Sequence, residues 1–345
     1  MKSGALYFVS DKAIHDALVQ HKFTKAHVKD IFLERGIIVS SDTPREDMAL
    51  YFSLLNHDYY DHQKIAEAFS VARRKEKTSV TTVQGIMSRE NIDDQLIRLC
   101  EAISSKGDVA KVVNHKGLTE VVLIYQDVNF NRTDFKQVEN RESIISVEFG
   151  ENGFVMRWPD HPYVKDIKNR VLSLAEEVCE DGFEFHEINL SSVSDSNDVS
   201  SFFQRIMKEM DGFNFSDLID VYLFNPRSQD EEEVHIDKGS LKGKGVLVSK
   251  ELSDLKERGF FICRVIWQAK KTGARGDLYQ FEAKFSNPEL KSDFSYAVHG
   301  FYKEKSLGVY AKTRVPCSSS EERILGRILE HAANKVAESI LTTGA

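Results

Sequence analysis

The stretch SIISVEFGENGFVMRW, Ser143 to Trp158, decides the fold class. Ile145, Val147 and Phe149 alternate before Asn152-Gly153, and Phe154, Met156 and Trp158 alternate after it, which is the pattern of two half-buried strands joined by a tight turn. A hairpin with one apolar face needs a second layer to cover it. Two apolar stripes at helical spacing follow: Ile167, Val171, Leu174 and Val178 predict a helix at about 164–180, and Val199, Phe202, Phe203, Ile206 and Met210 predict another at about 198–210. VVLIY (Val121 to Tyr125), FEFHEINL and LIDVYLF read as further strands.

The last third begins with a helix near 249–258. It continues with four candidate antiparallel strands, FFICRVIWQAK, LYQFEAKF, FSYAVHGFYK and LGVYAKTRV, with TGARGD as a turn between the first two. The chain closes on a helix from SSSEERIL, where Ser319 and Glu322 form a capping box.

Upstream of 109 the pattern is helical. In FTKAHVKDIFLERGI, Val28, Ile31 and Phe32 share a face and Gly36 supplies a left-handed stop. Thr43 as N-cap, Pro44 at the first helical position and Glu46 start a second helix whose apolar face is Met48, Phe52 and Leu55. Further helices are expected at about 61–74 and 92–104, with the cationic ARRKEK (Ala72 to Lys77) between them. The expectation is an α+β protein with a helical domain at 1–108, an α/β region at 109–240, and a mostly antiparallel sheet with a closing helix at 241–345.

The 345 residues are 41% hydrophobic and 29% charged, which excludes wholesale disorder and a disulfide-stapled miniprotein. No apolar run approaches the ~18 residues of a membrane span, so a soluble, cytoplasmic protein without a membrane partner is expected. Cys100, Cys179, Cys263 and Cys317 are far apart in the sequence and read as reduced thiols. Charge is uneven: the net of −8 divides into zero over 1–100, −13 over 171–240 and +7 over 241–320. Blocks of this kind mark separate surfaces.

The helix, extended segment and second helix in FTKAHVKDIFLERGIIVSSDTPREDMALYFSLL resemble a SAP-like helix-extended-helix module, a DNA-binding family. The resemblance implies that Lys25, Lys29, Arg35 and Arg45 meet phosphates. Asp30, Glu34, Asp42, Glu46 and Asp47 counter those charges.

In the C-terminal strands, alternation places Arg264, Gln268 and Lys270 on one face of one strand, and Gln280, Glu282 and Lys284 on one face of the next. His299, Lys303, Lys312 and Arg314 add to them, with Tyr310 nearby. Together they are expected to form a cationic platform for phosphate contact and base stacking. The competing readings are a solvated face, or docking onto the acidic block of the same or another subunit. Lys242 and Lys244 in GSLKGKGVLVSKE are further phosphate candidates, although the stretch lacks the glycine order of an ATP-binding loop.

Glu282-Ala283-Lys284 after Asp277 also resembles the E-x-K half of a PD-(D/E)xK nuclease. That resemblance implies a magnesium ion held by Glu282 with Asp277, Asp220 or Asp237, and Lys284 beside the attacking hydroxide. DEEEVHID offers Glu233, His235 and Asp237, which read as a solvated acidic loop and not as a metal site.

The expected function is a non-enzymatic DNA-associated binding protein without cofactor, an accessory subunit of a prokaryotic DNA-processing or phage-defence complex. The alternatives are a magnesium-dependent nuclease and a scaffold that binds only protein, or a second copy of itself, through the charged blocks and the C-terminal helix.

Overall fold

A computed structural model describes residues 10–21, 23–70, 76–226, 237–243, 245–273 and 276–343. The elements, in chain order, begin with α1 (Asp11–Leu18), α2 (Lys25–Glu34), α3 (Arg45–Ser53), α4 (Tyr59–Ser70), β1 (Thr78–Ile86), α5 (Arg89–Ser104), β2 (Val109–His115), β3 (Leu118–Val128), β4 (Val138–Gly150) and β5 (Gly153–Pro159). They continue with α6 (Pro162–Val178), β6 (Asp181–His186), α7 (Ser196–Lys208), β7 (Phe213–Phe224), β8 (Lys238–Lys242) and α8 (Lys250–Glu257). The last are β9 (Phe261–Lys271), β10 (Leu278–Asn287), β11 (Ser292–Tyr302), β12 (Glu304–Ser306), β13 (Val309–Tyr310) and α9 (Ser319–Thr343). The fold class is α+β. No helix among the described residues is long and apolar enough to cross a membrane.

The chain forms two compact units, one from Met1–Lys75, Asp93–His115 and Glu120–Ile144, the other from Glu76–Ile92, Lys116–Thr119 and Ile145–Ala345. In the first, α1 to α4 bury Ile14, Leu18, Val28, Phe32, Met48, Phe52 and Ile65 together. Gly36 ends α2 in the left-handed region, φ 74°, as its position predicts. The start of α3 differs from expectation: the helix begins at Arg45, and its N-cap is Pro44, without a side-chain hydrogen bond. Thr43 belongs to the preceding turn, where its N–H donates to the Ser40 carbonyl.

The second unit is built on an antiparallel sheet in the order β5-β1-β11-β10-β9-β7-β8. Beyond the single β11 pairing at Thr78, the same edge of β1 pairs with β6. Alternation sends Val265, Trp267 and Ala269 of β9 and Phe281, Ala283 and Phe285 of β10 to one face. There they pack with Phe202, Phe203 and Ile206 of α7 and Leu329, Ala333 and Val336 of α9. The stripe expected at 198–210 is entirely buried.

Four further expectations need correction. The 78–86 segment, assigned to the helical first hundred residues, is strand β1. Its inward positions are Ser79, Thr81 and Val83, so polar side chains face inward and the alternation is hidden. Thr81 is satisfied there, donating to Glu187 at 2.6 Å and accepting from Trp158 Nε1 at 3.1 Å.

The hairpin at 145–158 is present, but its turn is Glu151-Asn152, because Phe149 pairs with Phe154 and Gly150 with Gly153. Gly153, at φ 135°, is required by the neighbouring strand: a Cβ there would lie 2.0 Å from the Val83 carbonyl oxygen. The fourth C-terminal strand, 307–315, is not part of the large sheet. Leu307-Gly308 reverses the chain, so β13 folds back on β12, and the rest returns to β11 through a bridge from Val315 to Phe301. Finally, α9 is capped by Ser318, whose Oγ accepts from the Glu321 N–H at 3.2 Å, one residue before the expected Ser319.

Candidate nucleic-acid interface

The sheet face opposite the core is polar, and its centre is Glu282 on β10, fully buried. Register sets Lys284 directly opposite Arg264, a like-charge pair that alone would repel. Two carboxylates separate them. Glu282 takes Arg264 Nε at 2.5 Å and Lys77 Nζ at 2.8 Å on Oε1, and His299 Nε2 lies 2.7 Å from Oε2. Asp160 takes Lys284 Nζ at 2.8 Å, with hydroxyl bonds from Ser286 at 2.5 Å and Ser295 at 3.1 Å. The Asp160 N–H donates to the Lys77 carbonyl, joining the clusters.

Burial alone raises the Glu282 carboxyl, but hydrogen bonds from His299 and Lys77 and the charges of Lys77 and Arg264 outweigh it and hold the group well below the usual range. Asp160 is likewise lowered: its burial is outweighed by Lys284 and Ser286. The Arg264 guanidinium lies 4.2 Å from the Tyr222 ring centroid, which fixes its plane.

This arrangement bears on the E-x-K reading. Lys77, Arg264 and the His299 ring already converge on Glu282, so a divalent cation at that carboxylate would be repelled by its neighbours. Lys284 is paired with Asp160. Among the described residues no group of three or more His, Cys, Asp or Glu side chains is placed to hold a metal ion.

Asp277 has a different task. Its Oδ1 accepts the Glu304 N–H at 2.9 Å, at the base of the β12–β13 hairpin. Glu304 in turn accepts from Lys270 Nζ, the Gly308 N–H and the Gly276 N–H, each at 3.0 Å. The Gly308 amide and Lys270 lower its carboxyl from the ordinary value. The Ala311 N–H closes the base on the Lys303 carbonyl at 2.8 Å. A short hairpin that would be floppy alone is thereby clamped through one side chain.

Around this hairpin stand four exposed cations, Lys303, Lys305, Lys312 and Arg314, without a salt-bridge partner among the described residues. Lys312 and Arg314 lie beyond β13 and not on a strand, so sheet parity does not govern them. Lys270 is held by Glu304, and Tyr310 pairs with Glu304 in register. Lys242 is exposed at the end of β8; Lys244 lies outside the described residues, as do Glu233, His235 and most of ARRKEK.

In the N-terminal helices the four expected phosphate ligands divide. Arg35 is engaged internally, donating to the Asn56 carbonyl and to Asp61 at 2.5 Å, over the Phe52 ring. Arg45 donates to the Gln20 and Phe23 carbonyls at 3.3 and 3.1 Å. Lys25 is exposed and Lys29 half-buried.

Sequence reasoning missed Lys77 as a partner of Glu282, Asp160, Glu304 and Lys305. Lys77 stood in plain view at the end of a cationic run, but which carboxylate it meets depends on the β1–β11 pairing.

No protein-family model matches the chain, and no curated protein matches it.

Proposed function

We propose that this chain binds nucleic acid, in the first instance duplex DNA, through the cations of the β12–β13 hairpin, without cleaving it. The observation that carries the reading is the grouping of Lys303, Lys305, Lys312 and Arg314 along and at the base of a clamped projection whose one carboxylate, Glu304, is already neutralised by Lys270. Cations without internal partners are those left to exchange counterions for phosphates. The polar face around Glu282 supports the reading in a second way. Lys77, Arg264 and Lys284 outnumber Glu282 and Asp160, and the charged side chains are already ordered before a ligand arrives.

The test is fluorescence anisotropy on a labelled duplex over a salt series. The parent protein should bind, with affinity falling steeply as salt rises. Changing Lys303, Lys305, Lys312 and Arg314 together to Glu should flatten the log–log salt slope by roughly 3 to 4 units, close to one for each phosphate that is no longer neutralised. A folded variant with unchanged affinity and slope overturns the assignment to the hairpin. Loss of slope on changing Lys25 and Lys29 instead moves the site to the N-terminal helices. Magnesium-dependent cleavage by the parent overturns the non-catalytic part.

A further inference from the structure

The hairpin that carries these cations ends in an apolar side chain. Leu307, at the tip, is 85% exposed, and Val309 beside it is also exposed. A single exposed leucine needs no explanation on an ordinary surface. This one sits at the end of a ribbon clamped at Glu304 by three donors and at its base by Asp277 and the Ala311 amide, so its position is defined to within a side chain's freedom. The clamp uses an ion pair, with the Glu304 side chain 4% exposed, to hold in place a tip that contributes nothing to the core. Lys305 stands on β12 next to the tip, and Lys303, Lys312 and Arg314 stand at or beyond the base of the hairpin, where its two ends meet.

We propose that Leu307 is a wedge that enters the base stack of duplex DNA while Lys303, Lys305, Lys312 and Arg314 hold the phosphates on either side. This rests on the nucleic-acid reading above. Three residues of extended chain project about 10 Å, enough to reach the floor of a groove some 7.5 to 8.5 Å deep. An apolar side chain between two bases replaces part of the stacking it removes, and the flanking cations offset the remainder as the duplex bends toward them. Gly308, at φ 74°, lets the chain reverse directly behind the leucine, so no second side chain blocks the approach. The charge along the hairpin and at its base selects an anionic partner, and the narrow tip, Leu307 with Val309 beside it, suits a single base step better than a flat protein surface. Steps that unstack readily, such as TA, are the expected targets.

The experiment uses the full chain and a 20-base-pair duplex with 2-aminopurine at a central TA step, read by fluorescence and by end-to-end energy transfer. The parent protein should raise the 2-aminopurine signal about twofold or more and shorten the end-to-end distance. Leu307→Ser should abolish both changes, weaken binding by about threefold to tenfold and leave the salt slope and thermal melt as they were. Leu307→Met should restore the signal. Binding by the parent without any change in 2-aminopurine overturns the wedge while leaving the nucleic-acid reading intact, as does a signal retained in Leu307→Ser. No binding by the parent overturns the nucleic-acid reading itself. If the parent instead sediments with phosphatidylserine vesicles and Leu307→Ser does not, the tip inserts into lipid and the wedge assignment falls.

Discussion

Arg157 on β5 grips Glu330 on α9 with two parallel hydrogen bonds, Nε to Oε1 at 2.9 Å and Nη2 to Oε2 at 2.8 Å. The third guanidinium nitrogen reaches Glu148 at 2.7 Å, and the Tyr296 hydroxyl donates to Glu330. The midpoint of the closing helix is therefore fixed to the sheet through a desolvated charge. Glu330→Ala should destabilise the protein by about 3–5 kcal/mol in urea denaturation, because the buried guanidinium loses its main partner. Pairing Glu330→Leu with Arg157→Met should recover most of that loss. A single variant within about 0.5 kcal/mol of the parent would show that water reaches the pair.

The Glu282 and Asp160 carboxyls titrate below their ordinary values of 4.5 and 3.8, so between the folded and unfolded values the unfolded chain binds more protons. Their contribution is fully present above about pH 4.5 and is lost as pH falls below it. At pH 7, Glu282→Gln should be less stable by about 3–5 kcal/mol, since Lys77 and Arg264 lose their counter-charge. The gap to the parent should narrow as both are acidified toward pH 3. A gap that stays constant down to that pH would mean that Glu282 is not ionised in the native state.

Phe203 is fully buried, with its ring 5.2 Å from Phe202 and 5.3 Å from Phe285, both edge-on. Phe203→Ala should lower stability by about 3–5 kcal/mol. A loss under about 1 kcal/mol would place α7 on the surface.

Gly153 and Gly150 face each other across one turn but differ in their neighbours. Gly153→Ala should destabilise by at least about 1–3 kcal/mol, from the Val83 carbonyl and the strained φ. Gly150→Ala, whose added carbon meets nothing closer than 3.8 Å, should fall within about 0.5 kcal/mol of the parent. Equal effects would show that β1 does not pass Gly153 at the stated distance.

Legibility in the sequence followed the chemistry of each inward face. Val199 to Met210 and the 145–158 hairpin carry apolar residues at every inward position, and periodicity reads them directly. β1 escaped because Ser79 and Thr81 point inward, and Thr81 finds partners only once Glu187 and Trp158 arrive from elsewhere. Strand parity correctly grouped Arg264, Gln280, Glu282 and Lys284, since register in β9 and β10 is regular there. It failed for Lys312 and Arg314 because a two-residue reversal at Leu307-Gly308 removed them from the sheet. Local composition shows a turn at Gly308, but not whether the following residues rejoin the sheet.

β1 is an interior strand of the sheet of the second unit, and its Thr78 pairs with Tyr296, more than two hundred residues further along the chain. During synthesis at about 5–20 residues per second, the Thr78 end of β1 waits some ten to forty seconds for β11 to emerge. Throughout that interval Lys77 has no Glu282 to meet, and the Thr78 end of the strand keeps an open hydrogen-bonding edge even after β6 has covered the other end. The second unit is thus committed to closure late in its own synthesis. Its yield in a cell should depend on chaperone capacity and growth temperature far more than its equilibrium stability would suggest.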